Sequence, residues 1–546
     1  VFGAGGGTSS YEEVGKAGLI LLWGSNARNA HPIFFHHVLR AVKAGGRLIV
    51  VDPRRSETAE FAETWLGIDV GTDIALSNTM AREIIHAGLT HREFIEGASL
   101  NFDEYAASVE DWTLERGEQV TGVPADAIRE VAHAYATTQD AMLCWTLGIT
   151  EHHNAVDNVL GLINLALLTG HVGRYGSGLN PLRGQNNVQG GGDMGAIPNK
   201  LPGFQDIEKD ADARARFEAA WGVPIEPKRG WHLSEMFEAM EEGHLTAVYC
   251  IGENPASSEA DSTKTARLLQ GLDTLVVQDI FMTKTAEMAD VVLPASNSAF
   301  ESEGTVTNSE RRVQRVRKAL EPPGNAKDDI WVLAQLAARL GVDWGEPTPR
   351  ELWDEMRSLS PMHELMSWDL IEELGGVQWP CNAGYPTGAK FLHERLWSFD
   401  DPERQGPKAP FSIVVDEPPV DELTGEYPIR LTTGRRLESY NTGVQSGAFS
   451  SPLHRGETLD LSPEDADELG VEEGDVVRVI SRRAEIEAPV HVTTALRKGL
   501  AFMTPHFPDE VETNRLTIDA WDPKSGTSEF KATAIRVEKL AVGAGR

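Results

Sequence analysis

Three times along this chain a run of five mostly apolar residues leads into a polar or Gly-rich turn and then a helical stretch. The runs are Leu19-Ile20-Leu21-Leu22-Trp23, Ala141-Met142-Leu143-Cys144-Trp145 and Ala247-Val248-Tyr249-Cys250-Ile251. Unbroken apolar runs of strand length suit strands covered on both faces, as in parallel sheets flanked by helices. After the first run a helix is predicted over 32–43, with Pro32 in its first turn and Gly45-Gly46 ending it. A second strand at 48–51 completes a βαβ unit, so the two strands should be parallel with a right-handed connection. The second run is followed by a helix over about 153–168 that stops at Gly170, and the third by a helix to about 269, then strands at 274–277 and 291–293.

With 546 residues, the chain is long enough for roughly three to four domains at about 150 residues each. No internal repeat or long low-complexity tract is visible. Residues 176–203 are rich in Gly and Asn without clean periodicity and read as a long loop, a feature that is often functional. Residues 322–425 are rich in Pro and Trp, with short helices, and Pro407, Pro410, Pro418 and Pro419 mark a linker. From Tyr427 the pattern changes to short strands, including 476–480 and the alternating 484–488, so a C-terminal β domain of barrel type is expected.

Composition removes several classes of function. Lys and Arg total 50 against 83 Asp and Glu, a net charge of −33. That field repels phosphodiester backbones and argues against a nucleic-acid binder, while it suits a basic partner subunit. Cys144, Cys250 and Cys381 are far apart and form no CxxC, so neither a disulfide framework nor a cysteine metal site of the usual spacing is expected. The longest apolar stretch, 159–168, contains Asn164 and is too short to span a bilayer. The sequence starts at Val1 rather than Met, and is expected to begin inside a longer gene product.

The residues that could carry chemistry sit mostly after strands. Trp23-Gly24-Ser25-Asn26 follows the first strand and precedes a helix, where ligands bind in open α/β sheets. Asp52 ends the next strand, where an acid can accept from a ribose hydroxyl or a purine N–H, and Gly71-Thr72-Asp73 is a similar turn before another helix. By spacing alone these are equally tight turns and N-caps, since no GxGxxG is present. The stretch 180–190 packs Arg183 and five amide side chains into eleven residues. Amides fix polar heterocycles and a guanidinium holds a small carboxylate by two bonds, although a solvated loop gives the same composition. Thr150-Glu151-His152-His153 reads as a helix start capped by Thr or, less readily, as a metal site. Thr433-Gly434-Arg435, His506-Phe507, Asn514 and Phe530-Lys531 are, singly, ordinary turn and surface residues.

Taken together, these segments resemble the catalytic alpha subunits of molybdenum- or tungsten-dependent formate dehydrogenases, in the molybdopterin oxidoreductase (dimethyl sulfoxide reductase) superfamily. The resemblance rests on WGSNARNAHP at 23–32, VDPRRSETA at 51–59, GTDIAL at 71–76, GITEHHNAVDN at 148–158, and TGHVGRYGSGLNPLRGQNNVQGGGDMGAIP at 169–198. It continues with GENP at 252–255, ADVVLPASNSAFESEGTVTNSERRVQ at 289–314, TTGRRLESYNTG at 432–443 and TNRLT at 513–517. The block at 169–198 is the most specific to formate dehydrogenases.

The resemblance implies an α/β fold: two pseudosymmetric α/β nucleotide-binding domains plus a C-terminal β-barrel domain. The implied divisions are a first guanine-dinucleotide-binding domain at 1–185, a second with a cofactor-core segment at 186–321, a helical linker segment at 322–425, and a molybdopterin dinucleotide-binding barrel at 426–546. It implies a bis(molybdopterin guanine dinucleotide) cofactor with Mo or W. Trp23, Gly24, Ser25, Asn26, Asp52, Arg54, Gly71, Asp73 and Gly148 would form one nucleotide-binding set. Gly252, Asn254, Gln278, Asp279 and Asp290 would form its pseudosymmetric counterpart. Thr433, Gly434, Arg435, Phe507, Asn514 and Lys531 would contact pterin and phosphate from the barrel. Arg183 would orient formate beside the metal, with Gln185 near the same pocket. The expected reaction is reversible oxidation of formate to carbon dioxide, with electrons leaving through an iron–sulfur cluster toward iron–sulfur or flavin subunits linked to NAD, in the cytoplasm. The family's [4Fe–4S] cysteines and its Cys or selenocysteine metal ligand match none of the three cysteines here and are expected upstream. This chain by itself is therefore expected not to turn over formate. The other readings are a different superfamily member, such as an assimilatory nitrate reductase, and a cofactor-free scaffold relative.

Overall fold

The computed structural model describes residues 1–437, 439–443 and 456–540. Residues 444–455 and 541–546 of the expected C-terminal domain, and Glu438 of the 432–443 motif, lie outside the described residues. The first apolar run is Leu19–Trp23 (β1), and it is joined in one sheet by Arg47–Val51 (β2), Thr64–Leu66 (β3), Ala141–Trp145 (β4) and Gly178–Pro181 (β5). The order is β3-β2-β1-β4-β5, all parallel. Every residue of β1 and β4 is buried. Leu19, Leu21 and Trp23 enter the core under helices Asp73–His86, Ala125–Thr137 and Ala155–Thr169, while Ile20 and Leu22 enter the one under helix Pro32–Lys43. Two covered faces are why β1 reads as continuously apolar.

The helix predicted over 153–168 starts two residues later, at Ala155, and ends at Gly170 with φ +68°. Its start is displaced because the backbone N–H of His153 donates to Glu529, 3.1 Å away, and holds the chain in a turn. Thr150 accordingly closes the short helix Leu147–Thr150 rather than capping the next.

The second sheet has three parallel strands, Ala247–Ile251 (β6), Thr274–Asp279 (β7) and Val291–Pro294 (β8), in the order β8-β7-β6. It is less covered than the first, and Ala247 and Ile251 are exposed. The single helix expected after β6 is two, Pro255–Ser258 and Ser262–Gln270, because Asp261 takes a left-handed φ of +45° between them. A hairpin of Gly304–Thr307 and Arg312–Val316 pairs with Val377–Gln378 and packs against helices Pro349–Leu359 and Trp368–Leu374. At its turn the buried Arg311 donates to the carbonyls of Gly7 (2.7 Å), Trp379, Ala389 (3.1 Å) and Lys390 (2.8 Å), fastening the start of the chain to this layer.

The C-terminal strands are Ile429–Thr433 (β9), Leu459–Leu461 (β10), Val476–Ile480 (β11), Glu485–Val492 (β12), Leu500–Met503 (β13) and Thr533–Lys539 (β14). They close into a barrel in the order β9-β13-β10-β12-β11-β14 around Leu431, Leu461, Val479, Val490, Met503 and Ile535.

Two expectations are corrected. Residues 176–203 are not one long loop: they contain β5, the helix Val188–Asp193 and the short strand Lys200–Leu201. The Pro-rich 407–419 segment is not a free linker. Ala409–Pro410 pairs with Ser99–Leu100, Asn164 exchanges bonds with Ser412 in both directions, and Phe411 and Val414 are buried. The segment is a strap across the first domain. No helix among the described residues is long and apolar enough to cross a membrane.

Candidate functional site

The strand order of the first sheet reverses between β1 and β4, and a crevice opens there at the carboxyl ends of the strands. Its floor is the contact between Gly24 and Gly148. Gly24 has φ +57°, and a Cβ on Gly148 would lie 2.5 Å from the Gly24 oxygen. The Thr146 hydroxyl donates to that same carbonyl at 2.6 Å. Of the expected first set, Gly24, Asn26, Asp52, Arg54, Gly71, Asp73 and Gly148 line the crevice. Trp23 and Ser25 lie beneath it instead. The Trp23 indole donates to Asp73 at 2.7 Å, and the buried Ser25 hydroxyl has no hydrogen-bond partner among the described residues. Asn26 binds Glu57 (3.0 Å) and accepts from Thr58 (2.8 Å). Burial pushes the Asp52 and Asp73 carboxyls above their ordinary range, against the pull of Arg54 and His152 respectively. The Arg54 guanidinium stacks over Phe502 of the barrel, 3.6 Å from the ring centroid, and makes no hydrogen bond among the described residues.

A wider cavity of about 430 Å³ lies at the carboxyl end of the second sheet, lined by Gly252, Asn254, Gln278 and Asp279. Gln278 is fixed between the Tyr249 hydroxyl and Asp329, and the Asn254 oxygen accepts from the Thr285 hydroxyl at 2.9 Å. Burial pushes the carboxyls of Glu253, Asp279 and Asp329 upward. Asp290 departs from the expected set. It precedes β8 and so lies at the amino edge of the parallel sheet, where its carboxylate accepts from the Leu275 N–H at 2.8 Å.

The barrel closes over both spaces. Thr433, Gly434, Arg435 and Lys531 border each of them, and Asn514 borders the second while donating to Ser257 (2.9 Å) and Ser258 (3.0 Å). Lys531 donates to the Thr433 carbonyl (3.0 Å) and pairs with Glu151 (2.6 Å). Phe507 borders neither space and packs edge-on to His506. His152 and His153 both meet Glu529 of the barrel, at 3.3 and 3.4 Å, forming a clamp between domains.

A third cavity of about 380 Å³ contains Arg183. Its walls are largely apolar, among them Phe2, Trp145, Leu147, Ile163 and Leu182. Arg183 Nε donates to Gln189 at 3.0 Å and Nη2 to the Gly5 carbonyl at 2.8 Å, while Nη1 has no hydrogen-bond partner among the described residues. The Gln185 amide donates to Asn441, which also accepts from Arg435 at 2.9 Å. Gly184 borders the first crevice as well as this cavity, Gln185 borders the second as well, and Leu147 borders all three. The three spaces therefore converge at the Arg183 loop.

Sequence reading counted Gln189 among the five amides of 180–190 without a role of its own, and missed Asp193, Gly5 and Glu529. Gln189 and Asp193 carried one signal, a spacing of four that aligns side chains on a helix, but no helix was expected there. Glu529 had none, since the histidines it clamps lie more than 370 positions away.

The donor set can be tested for a nucleotide bearing phosphates. Arg54 without a hydrogen-bond partner, Arg435 and Lys531 supply cationic groups, and the near-contact of Gly24 with Gly148 leaves backbone open to a ligand. The orphaned Ser25 hydroxyl lies just below. Carboxyls and amides at the strand ends supply acceptors and donors for a base edge. The residues fit such a ligand in both spaces.

The family description Molybdopterin oxidoreductase matches residues 4–339, and Molydopterin dinucleotide binding domain matches 429–534. The F420-dependent formate dehydrogenase 2 subunit alpha of Methanococcus maripaludis is 39% identical over 547 residues, 99% of this chain and 79% of that protein. Formate dehydrogenase H of Escherichia coli is 36% identical over 545 residues, 99% of this chain and 75% of that protein. Acetylene hydratase from Pelobacter acetylenicus shares the fold with a TM-score of 0.73 at 20% identity, over 98% of this chain and 79% of that one.

Proposed function

The chain belongs to the molybdopterin oxidoreductase family, and from that premise we propose that it is the catalytic alpha subunit of a formate dehydrogenase that interconverts formate and carbon dioxide. The observation that carries the reading is the convergence of the two strand-end spaces and the Arg183 cavity at Leu147 and Gly184-Gln185. The barrel is a molybdopterin dinucleotide binding domain. One guanine dinucleotide in each strand-end space, with Mo or W between them, is the arrangement proposed. When bound, that centre accepts the two electrons released as formate becomes carbon dioxide and a proton.

The chain's own residues bind, orient and exclude water. Gly24 and Gly148 let the ligand approach the backbone, and Asn26, Asp52 and Asp73 meet its first guanosine. Gly252, Asn254, Gln278 and Asp279 meet the second. Arg54, Arg435 and Lys531 balance phosphate charge, with Thr433, Gly434 and Asn514 positioning the ligand from the barrel. Phe507 and Asp290 have no contact role in this proposal. Arg183 holds formate through its remaining Nη1 edge, and the apolar walls strengthen that contact by excluding water. Gln185 lines the approach.

Cys144, Cys250 and Cys381 are buried in three separate cores, and burial pushes Cys144 up to about 12 and Cys250 up to about 11. We assign none of them to the metal or to the [4Fe–4S] cluster that the proposed electron path requires. The path leads to iron–sulfur or flavin subunits linked to NAD, in the cytoplasm, and the net charge of −33 suits basic partners.

The test is formate-dependent viologen reduction by the full-length subunit with its partners, beside nitrate-dependent viologen oxidation. Mo, W and acid-released GMP are measured on the same sample. Formate turnover with one GMP for each space supports the reading, and NAD and F420 as alternative acceptors identify the carrier. Nitrate turnover without formate turnover assigns another member of the family. Absence of both metal and GMP assigns a scaffold.

A further inference from the structure

Resting on the reading of Arg183 as the anion anchor, we propose that Gln189 and Asp193 are positioning residues that hold its guanidinium in one orientation, with the Trp379 indole as the fixed end of the chain. Gln189 and Asp193 are four apart on the helix Val188–Asp193, and both are buried, as is Trp379. The Gln189 oxygen accepts from Arg183 Nε at 3.0 Å. Its amide nitrogen donates to Asp193 Oδ1 at 3.0 Å and to the Gly5 carbonyl at 3.1 Å. Asp193 Oδ2 accepts from the Trp379 indole at 2.9 Å.

The polarity of this relay admits one arrangement. An indole N–H only donates, a carboxylate only accepts, and an amide does either depending on which way it is turned. Asp193 therefore turns the Gln189 nitrogen inward and its oxygen toward Arg183. With the amide reversed, an NH₂ group would face the Arg183 N–H and the guanidinium would be driven out of place. Held by Gln189 and by Gly5, the planar fork keeps Nη1 for the anion. None of the three relay side chains need touch the substrate.

The test is Asp193→Asn in the complete enzyme with its partner subunits. A side-chain amide cannot accept through both of its terminal atoms, so either Trp379 or Gln189 faces a second donor. The KM for formate is expected to rise about tenfold, with kcat changed by less than about threefold. Adding Trp379→Phe removes one of the competing donors, so the substituted amide can turn its oxygen to Gln189. The double variant is expected to regain most of the lost affinity, although Trp379→Phe alone improves nothing. Gln189→Leu removes the acceptor for Arg183 Nε while keeping the Asp193–Trp379 bond, and is expected to raise KM similarly. It carries the test if Asp193→Asn loses its cofactor. Formate and nitrate binding are also measured by calorimetry without an electron acceptor, on samples matched for metal and GMP content.

An unchanged KM in both Asp193→Asn and Gln189→Leu overturns the proposal. So does a double variant that recovers nothing, since that outcome marks the pair as packing alone. If the wild type binds nitrate but not formate, and Asp193→Asn weakens nitrate binding, the formate reading fails while the relay stands. If the wild type turns over formate and the variants match it, the relay fails while the formate reading stands.

Discussion

Arg183 already spends two of its donor groups on protein. A Lys in its place has no Nε–H for Gln189 and no second arm for Gly5, so one ammonium would have to serve the helix, the loop and the substrate. Losing a charge-assisted hydrogen bond costs about 1.5–3 kcal/mol. Arg183→Lys is therefore expected to lower kcat/KM for formate by about 10- to 100-fold, with metal and GMP content unchanged. A variant with wild-type kcat/KM would remove Arg183 from substrate binding. Gly148 allows a second residue-scale experiment. A methyl there would meet the Gly24 oxygen at 2.5 Å, a backbone atom that cannot rotate away. Gly148→Ala is expected to shed nucleotide from the first crevice, read as a fall in acid-released GMP. Gly191→Ala, whose methyl meets nothing within 4 Å, should leave GMP unchanged. Equal GMP in both variants would deny the Gly24–Gly148 contact its role. Arg183 stood out in the sequence as the one cation in an amide-rich stretch, and Gly148 entered only through the family resemblance. Asp193 was not legible, because its importance comes from partners at 189 and 379 that only packing brings together.

At the scale of elements, the strands buried on both faces were the most legible, since five apolar residues in a row leave few other solutions. β5 was not, because Gly178-Leu179-Asn180-Pro181 carries one large apolar side chain and ends in Pro. Among the described strands it pairs with β4 alone, at the sheet edge, where Pro is tolerated. The 407–419 strap was hidden for a related reason: Pro-rich composition describes an extended chain but not what the chain lies against. Its continuation reaches Asp421, whose carboxylate accepts from Arg482, from Arg483 at 2.5 Å and from the Ala534 N–H of β14 at 3.0 Å. Asp421→Ala leaves two guanidinium groups and a strand N–H without their acceptor. Breaking a buried pair costs about 3–5 kcal/mol, and the lower end applies because Arg482 remains partly solvated. Hydrogen exchange of the β14 amides is expected to accelerate by about 100-fold, with the β1 amides unaffected. Unchanged β14 protection would make the strap a passive covering.

Across the whole molecule, the barrel must stay closed on two α/β layers in a chain whose net charge of −33 works against compaction. One tie crosses that boundary at the first crevice. His152 Nδ1 lies 3.3 Å from Glu529 of the barrel and Nε2 lies 3.2 Å from the Gly148 carbonyl. Only a protonated ring donates to both, because the neutral ring has a single N–H. Burial opposes the charge on His152, yet Glu529 and Asp73 outweigh burial and the nearby Lys531, and its pKa is raised. Glu529 is held far below the ordinary carboxylate range by His152 and His153, despite its burial. A His raised on folding contributes fully below its unfolded value, about 6.5, and loses that contribution as pH rises through the folded value. A carboxylate lowered on folding contributes fully above its unfolded value, about 4.3, and loses it only as pH falls through the folded value. The pair thus holds the barrel most firmly between about pH 4.3 and 6.5 and weakens on the alkaline side. Asp73, raised by burial, adds a cost in the same alkaline direction as it ionises. His152→Gln keeps a donor for Glu529 but removes the titrating ring. Thermal midpoints of the complete enzyme at about pH 6 and about pH 8 are expected to differ less in His152→Gln than in the wild type. The variant should be the less stable of the two at the lower pH. Parallel midpoints in the two proteins would mean that the ring titrates alike in the folded and unfolded chain, and that Glu529 is held by its backbone donors from His153, Lys531 and Ala532.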